Sequence, residues 1–431
     1  MHIIEQNIRI TGSGKELQGV GRAPDGRALF VDGALPDELC DVAITKQQER
    51  CLFGKIHRLV EQSPLRITPD CPYYGLCGGC AALHMDYALA LRLKAQKVRD
   101  ALVRIGKIDD PPLLAPIPAP QTFRYRNKAE YAAANGAFGA MAKASRDIVD
   151  LGDCLLQSPQ STAFLNAVRQ SMRANRDLCG VVTRTNHQGQ LMAILCFHHG
   201  RKVQYDPALV DRVHSLYACA LSPRPHHALD GKITHLGGAP ALPERLAGID
   251  FALSPLSFFQ VNRDQAENLV AELLRALELR GDERVFDLYC GIGTLTLPLA
   301  KAAKSATGIE IVAPAIEDAI AAAQSNGIKN ARFQCGDAGK LLADALKSGA
   351  KPHVIVVDPP RKGLDPGLIP HILSARPEKI GYVSCDCATL ARDLRLILDS
   401  GAYRLTSATP VDMFPHTEHI ETVCVLERAE K

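Results

Sequence analysis

From Gln265 onward the chain alternates helix and strand patterns: helix Ala266 to Leu279, strand Arg284 to Leu288, helix Thr294 to Ala303, strand Ala306 to Ile309, helix Ala313 to Asn326, strand Ala331 to Gln334, helix Gly339 to Lys347 and strand Val354 to Val357. Repeated βα units predict an α/β fold with a parallel sheet and crossover helices. The runs Tyr403 to Ala408 and Glu421 to Leu426 are expected to complete that sheet. Open sheets of this kind carry reactive groups at the carboxyl ends of their strands. Cys385 stands at such an end, after the apolar run Ile380 to Val383 and before a helix expected over Ala388 to Leu398. It is the candidate nucleophile, and a reactive thiolate needs a cationic or helix-terminal environment. The helix N-terminus and Arg361, from the neighbouring strand end, are the expected sources.

A chain of 431 residues exceeds the ~100 to 200 residues of one domain and suggests two to four, and the patterns along it divide it into three. Residues 1–60 hold short alternating runs, Asn7 to Ile10, Ala28 to Val31 and Cys40 to Ile44, separated by glycine turns. They predict a small β-barrel of the kind that binds RNA. Residues 61–262 begin with a cysteine-rich segment and a basic helix over Ala88 to Arg104, ended by a proline-rich linker from Pro111 to Pro120. The mixed α/β stretch from Phe123 to about Ser254 has no legible fold. Residues 263–431 hold the alternating units.

The net charge of +3, from 50 basic and 47 acidic residues, neither requires nor excludes a nucleic-acid partner. The start, Met1-His2-Ile3-Ile4-Glu5, is unlike a secretory signal, and no run approaches the ~18 apolar residues of a membrane span. A soluble, cytoplasmic protein without membrane association is therefore expected. In that compartment the 14 cysteines are not expected to form disulfides. Cys71, Cys77 and Cys80 have the spacing of metal ligands, with Cys154 as the candidate fourth. Four cysteines accept zinc and iron–sulfur clusters alike.

The run from Val285 to Thr294 passes from an apolar strand into a turn containing Gly291 and Gly293, then into a helix start. Such a turn lets backbone amides approach a ligand. The next strand ends on Glu310, in the place that bonds ribose hydroxyls. The third glycine of a pyrophosphate site is missing, which favours S-adenosylmethionine over a nicotinamide nucleotide. Asp337 and Asp358, the latter in Asp358-Pro359-Pro360-Arg361, extend the row of polar strand ends. Glu421 offers a carboxylate for general-base work.

These motifs occur in order with Tyr125-Arg126-Asn127-Lys128, Ser257-Phe258-Phe259-Gln260-Val261-Asn262 and Ala388-Thr389-Leu390-Ala391-Arg392-Asp393. Over nearly its whole length the chain resembles the TrmA/RumA family of RNA (uracil-5-)-methyltransferases, in particular the 23S rRNA branch with an N-terminal TRAM domain and an iron–sulfur cluster (RlmD-like). The resemblance implies a C-terminal Rossmann-like, class I S-adenosylmethionine-dependent domain and a central domain carrying a [4Fe-4S] cluster on Cys71, Cys77, Cys80 and Cys154. It implies that Cys385 adds to C6 of a flipped-out uridine and that Glu421 removes the C5 proton after methyl transfer. It assigns Gln260, Tyr289, Thr294, Glu310, Asp337 and Asp358 to the cofactor, and 23S rRNA as partner of a monomeric enzyme. The tRNA-directed members are the alternative; they are taken to lack the barrel and the cysteine set, so both features favour rRNA. Arg124, Arg126 and Lys128 are expected RNA contacts. This chain departs from the family at Asp386-Cys387, where Asn-Pro is usual, and at Thr294, often Asn. An amino-methyltransferase using the Asp-Pro-Pro loop would need no cysteine, and a silent RNA-binding protein would need neither Cys385 nor Glu421.

Overall fold

The computed structural model describes residues 3–429, so residues 1–2 of the first expected domain and 430–431 of the last lie outside the described residues. Strands Ile4–Arg9, Gly12–Ser13, Gly19–Arg22, Ala28–Asp32, Leu39–Gln47 and Cys51–Glu61 form one six-stranded sheet. Bulges in the pairings of Leu39–Gln47 with both its neighbours coil this sheet around its own core. Period-two alternation sends Leu29, Val31 and Leu52 into that core with Ile8 and Val42. Phe30 and Phe53, on the opposite faces of the same strands, stay half-buried outside it.

The stretch without a legible fold is a seven-stranded sheet, ordered Gly231–Gly238, Ser215–Leu221, Leu191–Phe197, Leu178–Thr185, Lys128–Ala134, Ala137–Met141, Ile148–Asp150. Helix Pro159–Met172 packs Phe164, Leu165 and Val168 against one face. Every residue of Leu191–Phe197 is buried, so the strand carries no polar alternation to read.

The third sheet runs in the order Ala331–Cys335, Ser305–Glu310, Arg284–Leu288, Val354–Val357, Lys379–Ser384, Glu421–Arg428, Tyr403–Val411. The first five strands are parallel and the last two antiparallel. One helix departs from expectation in a way that matters. It begins at Thr296 rather than Thr294, because Tyr289, Gly291 and Gly293 adopt φ of 67°, 54° and 86° and spend the preceding residues on turns. The amides available there belong to a turn, not to a helix N-terminus.

Two segments expected in the central domain instead complete the third sheet. Helix Tyr87–Arg104 lays Val98, Ala101 and Leu102 against Leu390, Leu394 and Ile397 of helix Cys387–Leu398. The proline-rich linker runs beside the edge strand Tyr403–Val411: Leu114 N–H donates to Ala408 O at 2.8 Å and Ile117 N–H to Pro410 O at 2.8 Å. An edge that would template pairing with another chain is thereby covered. Among the described residues no helix is long and apolar enough to cross a membrane.

The basic helix is not simply a charged surface. Lys94 and Asp412 have no exposed side-chain area, and Lys94 Nζ donates to Asp412 Oδ1 at 2.7 Å and to Phe414 O at 2.9 Å. The Tyr87 hydroxyl donates to the other carboxylate oxygen at 2.9 Å. Removing one member of a buried pair strands the other, at a cost of about 3 to 5 kcal/mol. Lys94→Met is expected to lose that much in urea unfolding, and Lys94→Met combined with Asp412→Leu to recover most of it. Equal losses in the single and double variants would contradict the reading.

Candidate active site

The antiparallel register pairs Ser384 with Thr422, so the next residue, Cys385, lies beside Glu421 at one end of the sheet. Asp358 leaves the adjoining strand at the same end, one residue beyond the pairing of Val357 with Tyr382. A cavity of 190 Å³ opens there, lined by Cys385, Cys387, Arg361 and His419, with Lys15 from the N-terminal sheet and Lys97 from the basic helix. Residues some 370 positions apart in sequence thus share one chamber.

Its electrostatics favour neutral acids. Glu421 is 3% exposed, and burial, reinforced by the charge of Asp358 and opposed by Arg361, pushes its carboxyl up to about 8. Desolvation raises Asp358 to about 7. Burial raises the Cys385 thiol to about 11, helped by the charges of Glu421 and Asp358 and again opposed by Arg361. Arg361 therefore sits where the sequence predicts. The helix N-terminus does not serve as expected: Asp386 Oδ1 accepts the amides of Ala388 at 2.9 Å and Thr389 at 3.0 Å, while Lys15 approaches its other oxygen at 3.5 Å. The carboxylate that replaces the usual asparagine is occupied as a helix cap. Cys387, the neighbouring thiol, is 7% exposed and packs with Leu390, Ala391 and Leu394.

Above the cofactor turn, Glu310 accepts Gly291 N–H at 3.2 Å and Val312 N–H at 2.9 Å. A Cβ built at Gly291 would meet nothing within 4 Å, so the space over the turn is open to a ligand. Thr294 is half-buried on the same turn. Asp337 caps helix Ala338–Lys347 by accepting Lys340 N–H at 2.9 Å. The Gln260 carbonyl accepts from the Asn127 side chain at 2.9 Å, which joins the two central motifs. Asp287 escaped the sequence reading. It is fully buried, takes the Thr296 hydroxyl on Oδ2 at 2.5 Å, and leaves Oδ1 without a partner; burial pushes it up to about 7. The available signal was a carboxylate between Phe286 and Leu288 in a strand too apolar to carry one.

Cys71, Cys77, Cys80 and Cys154 line a single cavity of 350 Å³, and Gly79 N–H donates to Cys77 Sγ at 3.4 Å. Among the described residues no three His, Cys, Asp or Glu side chains stand close enough to share one metal ion. The expected metal site is not met in its single-ion form. The expected RNA contacts are also engaged internally: Arg124 pairs with Asp153, Lys128 with Glu130 at 2.8 Å, and Arg126 turns towards Tyr125 and the cysteine cavity.

Comparisons with known proteins agree with this layout. A profile described as the TRAM domain matches residues 3–57, and one described as tRNA (Uracil-5-)-methyltransferase matches residues 248–429. An RNA methyltransferase of Halalkalibacterium halodurans is 37% identical over 426 residues, covering 94% of this chain and 93% of its own. Another, of Caldanaerobacter subterraneus, is 37% identical over 443 residues, with 98% and 97% covered. The chain belongs to the TrmA/RumA-like RNA (uracil-5-)-methyltransferase family. S-adenosylmethionine is the methyl donor of this family, and the third sheet is its class I methyltransferase fold. The solved Pyrococcus abyssi tRNA (uracil-54, C5)-methyltransferase, in complex with S-adenosyl-L-homocysteine, superimposes with a TM-score of 0.77 at 25% identity, covering 98% of this chain and 99% of that one. A tRNA-directed enzyme therefore shares the whole architecture. Contrary to the expectation from sequence, the N-terminal sheet does not separate rRNA from tRNA enzymes.

A buried acid that binds its proton more tightly when folded stabilises the fold below its ordinary value of 4.5, and that contribution is lost as pH rises to about 8. For Glu421 the full span corresponds to at most ~5 kcal/mol. Relative to Glu421→Gln, the parent is expected to lose unfolding free energy between pH 5 and pH 8.5 in urea titrations. Parallel pH profiles would show that Glu421 ionises freely in the folded protein.

Proposed function

We propose that the chain transfers a methyl group from S-adenosylmethionine to C5 of a uridine in 23S rRNA, with Cys385 as nucleophile and Glu421 as general base. The pairing of Ser384 with Thr422, which sets Cys385, on the wall of the cavity, beside the buried Glu421, supports the Cys385–Glu421 chemistry most. Uracil C5 is too weak a nucleophile to attack the donor unaided. The Cys385 thiolate adds to C6, and the electron pair of the C5–C6 double bond becomes an enolate. The donor, when bound, supplies an electrophilic methyl group to C5. Glu421 then removes the C5 proton, and the released pair re-forms the double bond and expels Cys385. At neutral pH the thiol and the acid both start protonated, so the rate rises with pH, through about 8 as Glu421 releases its proton and on towards about 11 as the Cys385 thiolate forms. Arg361 opposes both elevations and favours the charged forms.

Gln260, Tyr289, Thr294, Glu310, Asp337 and Asp358 are proposed to hold the donor around the open turn at Gly291. Cys71, Cys77, Cys80 and Cys154 are proposed to hold a [4Fe-4S] cluster. Their shared cavity and the Gly79 amide on Cys77 sulfur suit a polynuclear centre, whose thiolates surround several irons rather than one. When bound, it ties Cys154 to the Cys71–Cys80 segment. Protein purified without oxygen is expected to be brown and to contain iron and sulfide; a colourless zinc protein would exclude the cluster.

The likeness to the Pyrococcus abyssi enzyme favours a second reading, a tRNA uridine as substrate. Total RNA containing 5-fluorouridine separates the two, because fluorine at C5 replaces the removable proton and holds the RNA covalently on the protein. The expected adduct is with 23S rRNA, absent in Cys385→Ala and retained in Cys387→Ala. An adduct with tRNA selects the second reading, and loss only in Cys387→Ala overturns Cys385 as nucleophile.

A further inference from the structure

Phe30 and Phe53 stand opposite each other on paired parallel strands, with ring centroids 5.3 Å apart and planes 20° from parallel. Both face away from the core that their neighbours Leu29, Val31 and Leu52 fill. Large aromatic faces turned outward on a small sheet gain little unless something covers them. They line a cavity of 300 Å³ whose walls also include Glu16, Gln18 and Glu418. Glu16 and Glu418 line the Cys385 cavity as well, so the two spaces adjoin. The loop that separates them carries Lys15 into the one and Leu17 into the other.

We propose that the Phe30–Phe53 pair is a stacking platform for a nucleobase of the RNA strand flanking the uridine that enters the Cys385 cavity. The proposal rests on RNA methyl transfer at Cys385. A base drawn out of its stack to reach the thiol leaves its neighbour with an uncovered π-face, and an aromatic pair beside the chamber replaces the lost stacking. The charges suit a base lying between phosphates. Lys46 Nζ lies over the Phe53 ring, 5.8 Å from its centroid, and the exposed Lys55 lines the same cavity, so cations flank the place of the stacked base. Within the cavity Asp32 is neutralised by Lys143 at 2.7 Å, while Glu16, which accepts the Gln18 side chain at 3.1 Å, and Glu418, 3.2 Å from His419, keep carboxylate oxygens that can accept hydrogen bonds from a base.

The test uses the full chain and a fluorescein-labelled 12-nucleotide oligouridylate, followed by anisotropy at several salt concentrations. Stacking on an aromatic side chain is worth about 5- to 100-fold in affinity. Phe53→Leu is expected to weaken binding by that factor, to leave the slope of affinity against salt unchanged, and to leave S-adenosyl-L-homocysteine affinity intact. Lys55→Ala is expected instead to flatten the salt slope. Phe30→Leu serves as the second variant should Phe53→Leu lose homocysteine-ligand binding through misfolding. If the parent forms the 5-fluorouridine adduct but shows no affinity for the oligomer, or if neither leucine variant changes that affinity by more than about twofold, the platform is overturned. A parent that forms no adduct overturns the methyl-transfer reading instead.

Discussion

Lys94 and Asp412 exchange a charge-assisted hydrogen bond at 2.7 Å without exposing a single side-chain atom. Such a pair is tolerated only when its remaining hydrogen-bonding capacity is filled, and here Phe414 O takes a second Lys94 proton while the Tyr87 hydroxyl fills the carboxylate. Tyr87 in turn accepts Ala119 N–H at 2.8 Å. The network therefore joins the basic helix, the edge-covering linker and the loop after strand Tyr403–Val411. That loop ends at Glu421. Its backbone takes donors from four separate stretches of chain: Ala81 and Ala82 to His416 O, Lys97 to Glu418 O at 2.8 Å, the Tyr125 hydroxyl to Pro415 O at 2.9 Å and Asn262 to Met413 O at 3.1 Å. The position of the carboxylate is over-determined by segments that are distant in sequence.

His416 shows what that convergence sustains. It is buried, has φ of 63° and leaves both ring nitrogens without partners, which burial accommodates by holding the ring neutral, its value lowered to about 4. A non-glycine residue in that backbone region persists only where surrounding contacts impose it. The stacked Phe123 ring, 4.6 Å away, and the two amides following Cys80 are those contacts. The cysteine segment is consequently in mechanical contact with the loop that presents Glu421.

The sequence exposed what periodicity and strand-end position encode. Buried parallel strands such as Val354–Val357 read as short apolar runs, and Cys385 and Glu421 were visible because chemistry at an open sheet gathers at strand ends. Solvent exposure is not written in residue type. Lys94, Arg124 and Arg126 read as surface charge, yet each is engaged by the protein itself: Lys94 on buried Asp412, Arg124 on Asp153 at the surface, and Arg126 at the cysteine cavity. Asp287 was hidden for the converse reason: a lone acid in an apolar strand is noise until burial and an unpartnered oxygen distinguish it. The linker prolines concealed an edge-covering segment, since prolines signal a broken helix equally well in either case. The likeness of a whole tRNA-directed enzyme removes any inference from domain content to RNA class.

The raised carboxylates impose an order of events. Asp287, Asp358 and Glu421 lie at one end of the sheet and each is held towards its neutral form mainly by burial, with Asp358 raising the other two. They do not ionise together without a cation, and Arg361, the cation acting on Glu421 and Cys385, is itself exposed and screened. On the proposed chemistry a bound sulfonium would add a positive charge at this end of the sheet, favouring the ionised carboxylates and the Cys385 thiolate, and loss of that charge on methyl transfer would return Glu421 to its high proton affinity at the step proposed to take a proton from C5. In that scheme the burial that makes Glu421 a poor anion in the resting protein would also make it a strong base after transfer.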